Sequence, residues 1–166
     1  MSNTDLIRRF YSAFQKLDYA TMQDSYSDEA VFQDPAFGIL NGSEVKAMWE
    51  MLARNAKNFS LVFSDIKAED EEYVSCRWIA TYTFSATGKK VVNDIRAYIR
   101  VQNEKITEHT DHFSFWNWAR QALGFSGLLL GWSSFVQNQV RTKARGNLQR
   151  FMEKQSVSDS EQVVSK

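Results

Sequence analysis

The stretch TYTFSATGKKVVNDIRAYIRVQNEKITEHTDHF, Thr81 to Phe113, decides the fold of this chain. Its polar and apolar residues alternate with a period of two, as in strands whose successive side chains point to opposite faces. Thr87-Gly88 and Asn103-Glu104 interrupt the alternation where hairpin turns belong. Tyr73 to Ala86, Lys89 to Gln102 and Lys105 to Trp116 therefore read as a three-stranded meander, preceded by a fourth strand at Phe59 to Ala68.

Parity along these strands sorts their side chains into two faces. Asn93, Ile95, Ala97 and Ile99 share one side, and Asp94, Arg96, Tyr98 and Arg100 the other, where their charges point to solvent or a subunit contact. His109, Asp111, Phe113 and Phe115 lie together, opposite Thr110, His112 and Ser114. Arg77, Ile79, Thr81 and Thr83 alternate with Cys76, Trp78, Ala80, Tyr82 and Phe84. Parity alone leaves open which face the helices cover.

Outside this sheet the period becomes helical. Asn3 or Thr4 can cap a first helix, whose apolar face is Leu6, Ile7, Phe10, Phe14 and Leu17. A short helix around Tyr19 to Tyr26 follows, then a strand from Ala30 to Pro35 and a loop marked by Gly38 and Gly42. A third helix opens at Ser43 and turns Val45, Met48, Trp49 and Leu52 inward. Helices followed by a run of antiparallel strands make the class α+β.

The carboxyl third is different in kind. Phe115 to Trp132 is strongly apolar but broken by Arg120-Gln121 and three glycines, which predicts buried packing in preference to insertion at a membrane surface. From Ser133 a long helix carries the stripe Val136, Val140, Ala144, Leu148 and Phe151, with Arg141, Lys143, Arg145, Arg150 and Lys154 around it. The expected organisation is an α+β unit over residues 1–116, a helical extension over 117–154 packed on it, and a disordered polar tail over 155–166.

Composition narrows the function classes. Zero net charge in 166 residues removes the general electrostatic case for nucleic acid. A single cysteine, Cys76, excludes an internal disulfide and a cysteine-cluster zinc site and reads as a buried, inert thiol. His-x-Asp with no third ligand at suitable spacing gives no metal site. The charged amino terminus and the absence of a long apolar run predict a cytoplasmic protein.

Tyr26-Ser-Asp-Glu-Ala-Val-Phe-Gln-Asp-Pro35, followed by Phe37-Gly38 and Gly42, resembles the opening of the nuclear-transport-factor-2-like superfamily. That group includes steroid delta-isomerases, SnoaL-like polyketide cyclases and limonene epoxide hydrolases. The hairpin from Thr87-Gly88 to Lys105-Ile106-Thr107 and Asp111-His112-Phe113 resembles the epoxide hydrolases, and the resemblance spans roughly residues 4 to 116. It implies a cone-shaped curved antiparallel sheet closed by helices over a deep pocket lined by His109, Asp111 and Phe113. It also implies a homodimer through the outer sheet face, an apolar small-molecule ligand and no cofactor.

Residue by residue, the resemblance divides the known chemistries. Asp34 stands where steroid isomerases keep their general base, but their oxyanion tyrosine and aspartic acid correspond to Phe10 and Ala97. An enolate would lose several kcal/mol of stabilisation without those donors. In the epoxide-hydrolase pattern Asp111 and Arg77 match, while the second aspartate becomes Ile79, the tyrosine Phe32 and the asparagine Asp34. The SnoaL-like cyclases, with one pocket aspartate as acid and base, fit best.

Asp34 and Asp111 are therefore the candidate catalytic residues, and His109, Arg77, Asn93, Trp49, Phe10, Phe32 and Phe113 the candidate binding residues. Apolar walls disfavour the charged form of a carboxyl, which suits it to proton transfer near neutral pH. Two structural roles compete with this: an ion pair between Asp111 and Arg77, and an Asx-type turn made by Asp34 before Pro35. The functional expectation is an isomerase, cyclase or hydrolase, with a non-catalytic binding or dimerisation module as the alternative.

Overall fold

Three amino-terminal helical segments cover one face of a sheet. The computed structural model describes residues 1–164, with side chains through Val157. α1 (Asn3–Gln15) is capped by Ser2, whose hydroxyl accepts the Asp5 N–H; the cap thus lies one residue before the expected one. Its buried stripe is Leu6, Ile7, Phe10, Tyr11 and Phe14. α2 (Tyr19–Asp24) is short and capped by Asp18, and α3 (Ser43–Asn55) buries Val45, Met48 and Trp49.

The strands are β1 (Tyr26–Asp34), β2 (Gly38–Asn41), β3 (Ser60–Ala68), β4 (Tyr73–Phe84), β5 (Lys89–Gln102) and β6 (Lys105–His112). They form one curved, unclosed sheet in the order β2-β1-β6-β5-β4-β3. All neighbours are antiparallel except β1 and β6, which run parallel. The β5–β6 turn is the expected two-residue one, with Asn103 and Glu104 both at positive φ, as a type I′ hairpin requires. The β4–β5 turn is longer: Phe84 pairs with Lys89, and Thr87 and Gly88 both donate back to the Phe84 carbonyl.

Three of the boundaries that differ from expectation bear on the site. β1 starts at Tyr26 instead of Ala30, because Tyr26 pairs with Ile106 across an irregularity before Val31. Gly38–Asn41, expected as loop, is a strand on the sheet edge. β6 ends at His112, and Ser114 caps a helix by accepting the Asn117 N–H, so strand parity cannot be carried to Phe115.

The inner face agrees with parity: Val74, Cys76, Trp78, Ala80, Asn93, Ile95, Ala97 and Ile99 are buried. They meet the helices in one core with Phe10, Phe14, Trp49 and Phe32. Asp94 and Arg96 are exposed on the other side.

α4 (Phe115–Ala122), α5 (Phe125–Leu130) and α6 (Ser134–Val164) complete the described chain. Trp118, Ala119 and Ala122 of α4 pack on Val91 with Tyr82, Phe84 and Phe113. α6 buries Leu148 in the main core with Ala144 and Phe151 beside it. Its polar side holds the β1–β2 turn: Gln137 and Arg141 donate to the Pro35 carbonyl, and Arg145 to those of Phe37 and Ile39. The helix continues to Val164, through a stretch whose polarity predicts disorder; Ser165 and Lys166 lie outside the described residues. Among the described residues no helix is long and apolar enough to cross a membrane.

Candidate functional site

The pairing of β1 with β6 builds the site. Phe32 sits opposite His109 and Gln33 opposite Thr110, which places the next pair, Asp34 and Asp111, side by side. Phe32, His109 and Asp111 are all buried on the inner face, and Asp34 shares their parity. The two aspartates proposed from sequence are thus brought together.

Asp111 is 4% exposed and anchored through one oxygen. Its Oδ1 accepts the Trp78 indole N–H at 3.2 Å and bonds His109 Nε2 at 3.1 Å. His109 Nδ1 in turn meets the Tyr26 hydroxyl at 2.6 Å, and that hydroxyl accepts the Trp49 indole N–H at 3.0 Å. Trp49 can only donate, so the Tyr26 oxygen accepts from it, and the phenol and Asp111 hold the two nitrogens of the His109 ring between them. The chain Trp49–Tyr26–His109–Asp111 engages both ring nitrogens and fixes the imidazole. Phe10, Phe32 and Trp49 enclose His109 by edge-on or tilted contacts.

Asp34 is held by a different device. Its Oδ1 accepts the Ala36 and Phe37 backbone N–H groups at 2.9 and 2.5 Å, the Asx-type turn that the sequence offered as its structural role. Burial pushes the Asp34 carboxyl up to about 7, and the nearby Asp111 charge adds to the rise. The Phe37, Ala36 and Gly38 N–H groups oppose it. Oδ1 is engaged with the turn, and Oδ2 is free of those two donors.

Tyr82 stands close enough to Asp34 for that charge to raise the phenol's pKa, although burial is the larger cause. Its oxygen accepts the Trp118 indole N–H at 2.9 Å, which leaves the phenolic proton for another acceptor. Asn93 lies on the same inner face, and Phe113 bridges the main core and the α4 cluster.

Arg77 is not in the site. It faces outward on β4, opposite Arg96, and pairs with Asp94 through Nε–Oδ1 at 2.9 Å and Nη2–Oδ2 at 2.6 Å. The Asp111–Arg77 ion pair is therefore not formed, and Trp78 and His109 meet Asp111 instead. The physical reason is strand parity: a residue between the inward Cys76 and Trp78 must point outward. Cys76 is buried, and burial pushes its thiol up to about 12, well away from a reactive thiolate.

Sequence reasoning missed Tyr26, Trp78 and Tyr82 as site members. Tyr26 was hidden because the expected helix ran through it. Trp78 and Tyr82 were sorted onto one face, but nothing local said that this face was the inner one.

The SnoaL-like domain family matches residues 7–109, more than half of the chain. No curated protein matches this chain in sequence. Similar solved structures include a hypothetical protein with a ketosteroid isomerase-like fold from Catenulispora acidiphila in complex with trimethylamine. It superposes at a TM-score of 0.62 with 12% identity, covering 74% of this chain and 94% of that one. A candidate polyketide cyclase from Pseudomonas putida also gives 0.62, with 19% identity and coverage of 73% and 98%. An LEH-like epoxide hydrolase from M. tuberculosis gives 0.60, with 20% identity and coverage of 80% and 92%. At such identities the likeness extends to the fold alone. The sheet order, the helices over its inner face and the match over residues 7–109 together place this chain in the SnoaL-like domain family.

Proposed function

We propose that this protein is a cofactor-independent enzyme that moves a proton on an apolar, oxygenated small molecule, with Asp34 as the group that accepts and returns it. The observation that carries this reading is the Asp34–Asp111 pair on one inner face, in which Asp111 is fixed by donors and Asp34 titrates at about 7. A carboxyl titrating near the working pH is suited to both halves of general acid–base catalysis. Tyr82 would donate its proton to a substrate oxygen, and Asn93 and Phe113 would contact the bound molecule. His109 would act through Asp111 as a positioning residue, with Phe10, Phe32 and Trp49 as its packing.

The candidate cyclase and the epoxide hydrolase among its structural relatives make a cyclase, isomerase or hydrolase step the natural reaction class. A direct test follows deuterium exchange next to the carbonyl of an apolar cyclic ketone in heavy water by NMR. The wild type should accelerate exchange, and Asp34→Asn should lose about 100-fold or more of that acceleration. An unchanged rate in Asp34→Asn would remove Asp34 from the chemistry.

A second reading is favoured by the enclosure of His109 and Asp111 among Trp49, Trp78 and Phe32. In that case the network is structural and the protein binds an apolar ligand without turning it over. Ketone binding with no exchange above the uncatalysed rate would select it.

A further inference from the structure

The short helix α5 is built inside out for a soluble protein. Its small residue faces the protein: Gly127 is buried, and a Cβ there would fall inside the Ala119 carbonyl of α4. At Gly131, just after the helix, a Cβ would lie 2.8 Å from that of Ala119. Its large apolar residues face outward. Phe125 is 75% exposed, Leu128, Leu129 and Leu130 about half, and Trp132 and Phe135 74% and 67%. Packing within the chain would put leucine and phenylalanine inside and leave the small residues out, so this arrangement points to an external apolar partner. The expected burial of residues 115–132 thus holds for α4, through Trp118, Ala119 and Ala122, and is reversed in α5 and at Trp132.

Charge indicates which partner. The chain is neutral overall, yet no Asp or Glu occurs between Asp111 and Glu153, while Arg120, Arg141, Lys143, Arg145 and Arg150 do. Two cations edge the apolar patch. Arg120 lies over the Trp116 ring at 5.3 Å, and the Lys89 side chain runs against Gly124 at the start of α5. The tryptophans are prepared for an interface as well. The Trp132 and Trp116 indole N–H groups donate to the Leu129 and Leu128 carbonyls at 2.8 and 3.3 Å, so burying either ring strands no donor.

We propose that α5 and the turn after it dock on an anionic phospholipid bilayer, with the exposed leucines and aromatics in the interface and Arg120 and Lys89 on lipid phosphates. A second copy of this chain fits less well. A two-fold contact through this patch would bring two copies of the same basic rim together, with no acid between Asp111 and Glu153 to offset Arg120. Basic rims around an exposed apolar face match an anionic membrane surface instead. This inference does not depend on the reaction proposed above.

Flotation of the full-length protein with phosphatidylcholine vesicles, with and without phosphatidylserine, tests it. The wild type should float with the phosphatidylserine vesicles, and added salt should weaken the association. Leu128→Gln with Leu129→Gln should bind about tenfold more weakly or worse, with an unchanged circular dichroism spectrum. Lys89→Gln with Arg120→Gln should erase the preference for phosphatidylserine. The proposal is overturned if the wild type stays in the pellet fraction with both vesicles, or if the leucine variant floats as well as the wild type. A wild-type dimer in sedimentation that the leucine variant abolishes, without flotation, would assign the face to a second copy.

Discussion

Asp34 and Asp111 occupy neighbouring positions on the parallel strands β1 and β6, and the charge of Asp111 helps to hold the Asp34 proton. Burial is the larger contribution, and together they raise Asp34 from an ordinary 3.8 to about 7. Between those values the folded protein binds a proton that the unfolded chain has released, so stability falls as pH rises through this window and levels off above it. Asp34→Asn keeps an amide oxygen for the Ala36 and Phe37 N–H groups but does not titrate. Urea denaturation of the two proteins should agree near pH 4 and diverge toward pH 8, the variant becoming more stable by on the order of 2–4 kcal/mol. A constant difference across pH would show that Asp34 is not perturbed.

Asp111→Asn offers the same geometry to Trp78 and His109 but removes a negative charge beside Asp34. The Asp34 carboxyl, followed by carbon-detected NMR, should titrate at lower pH than in the wild type, with burial keeping it above 3.8. An unmoved midpoint would mean that the two carboxyls do not sense each other.

Tyr26 is the hinge of the buried chain, accepting from Trp49 and bonding His109. Tyr26→Phe preserves the ring and leaves two nitrogens, Trp49 Nε1 and His109 Nδ1, without this partner at a fully buried position. A loss of about 2–4 kcal/mol is expected in chemical denaturation, with an unchanged denaturant slope. A loss below about 0.5 kcal/mol would show that the network is loosely made.

What the sequence made legible was local. Period-two alternation separated Asn93, Ile95 and Ala97 from Asp94 and Arg96, and the structure buries the first set and exposes the second. Asp34 and Asp111 could be named, but their adjacency depends on a parallel pairing between segments far apart in sequence, which no local pattern encodes. Arg77 shows the limit of family resemblance: position along the strand matched, while parity with Cys76 and Trp78 sent the side chain outward. The inverted packing of α5 was invisible for a similar reason, since the fit of Gly127 against the Ala119 carbonyl is a tertiary contact.

Because Arg77 pairs with Asp94 at the outer surface, with both side chains roughly half exposed, Arg77→Ala should leave folding and any ketone exchange close to wild type. Loss of exchange in this variant, with folding intact, would return Arg77 to the site by a route that the structure does not contain.

Two glycine substitutions should have opposite signs. A Cβ on Gly127 collides with the Ala119 carbonyl, a backbone atom that cannot swing away, so Gly127→Ala must separate α5 from α4. A cost of about 1–3 kcal/mol is expected, with the loss centred on the α4–α5 contact in hydrogen exchange. Gly146 lies within α6 and a Cβ there meets nothing within 4 Å, so Gly146→Ala adds helix propensity without a clash. It should stabilise by about 0.5–1 kcal/mol. Measured side by side by thermal denaturation, the pair separates close packing from backbone entropy; destabilisation by both would mean that α6 is more tightly covered at Gly146 than its open surroundings indicate.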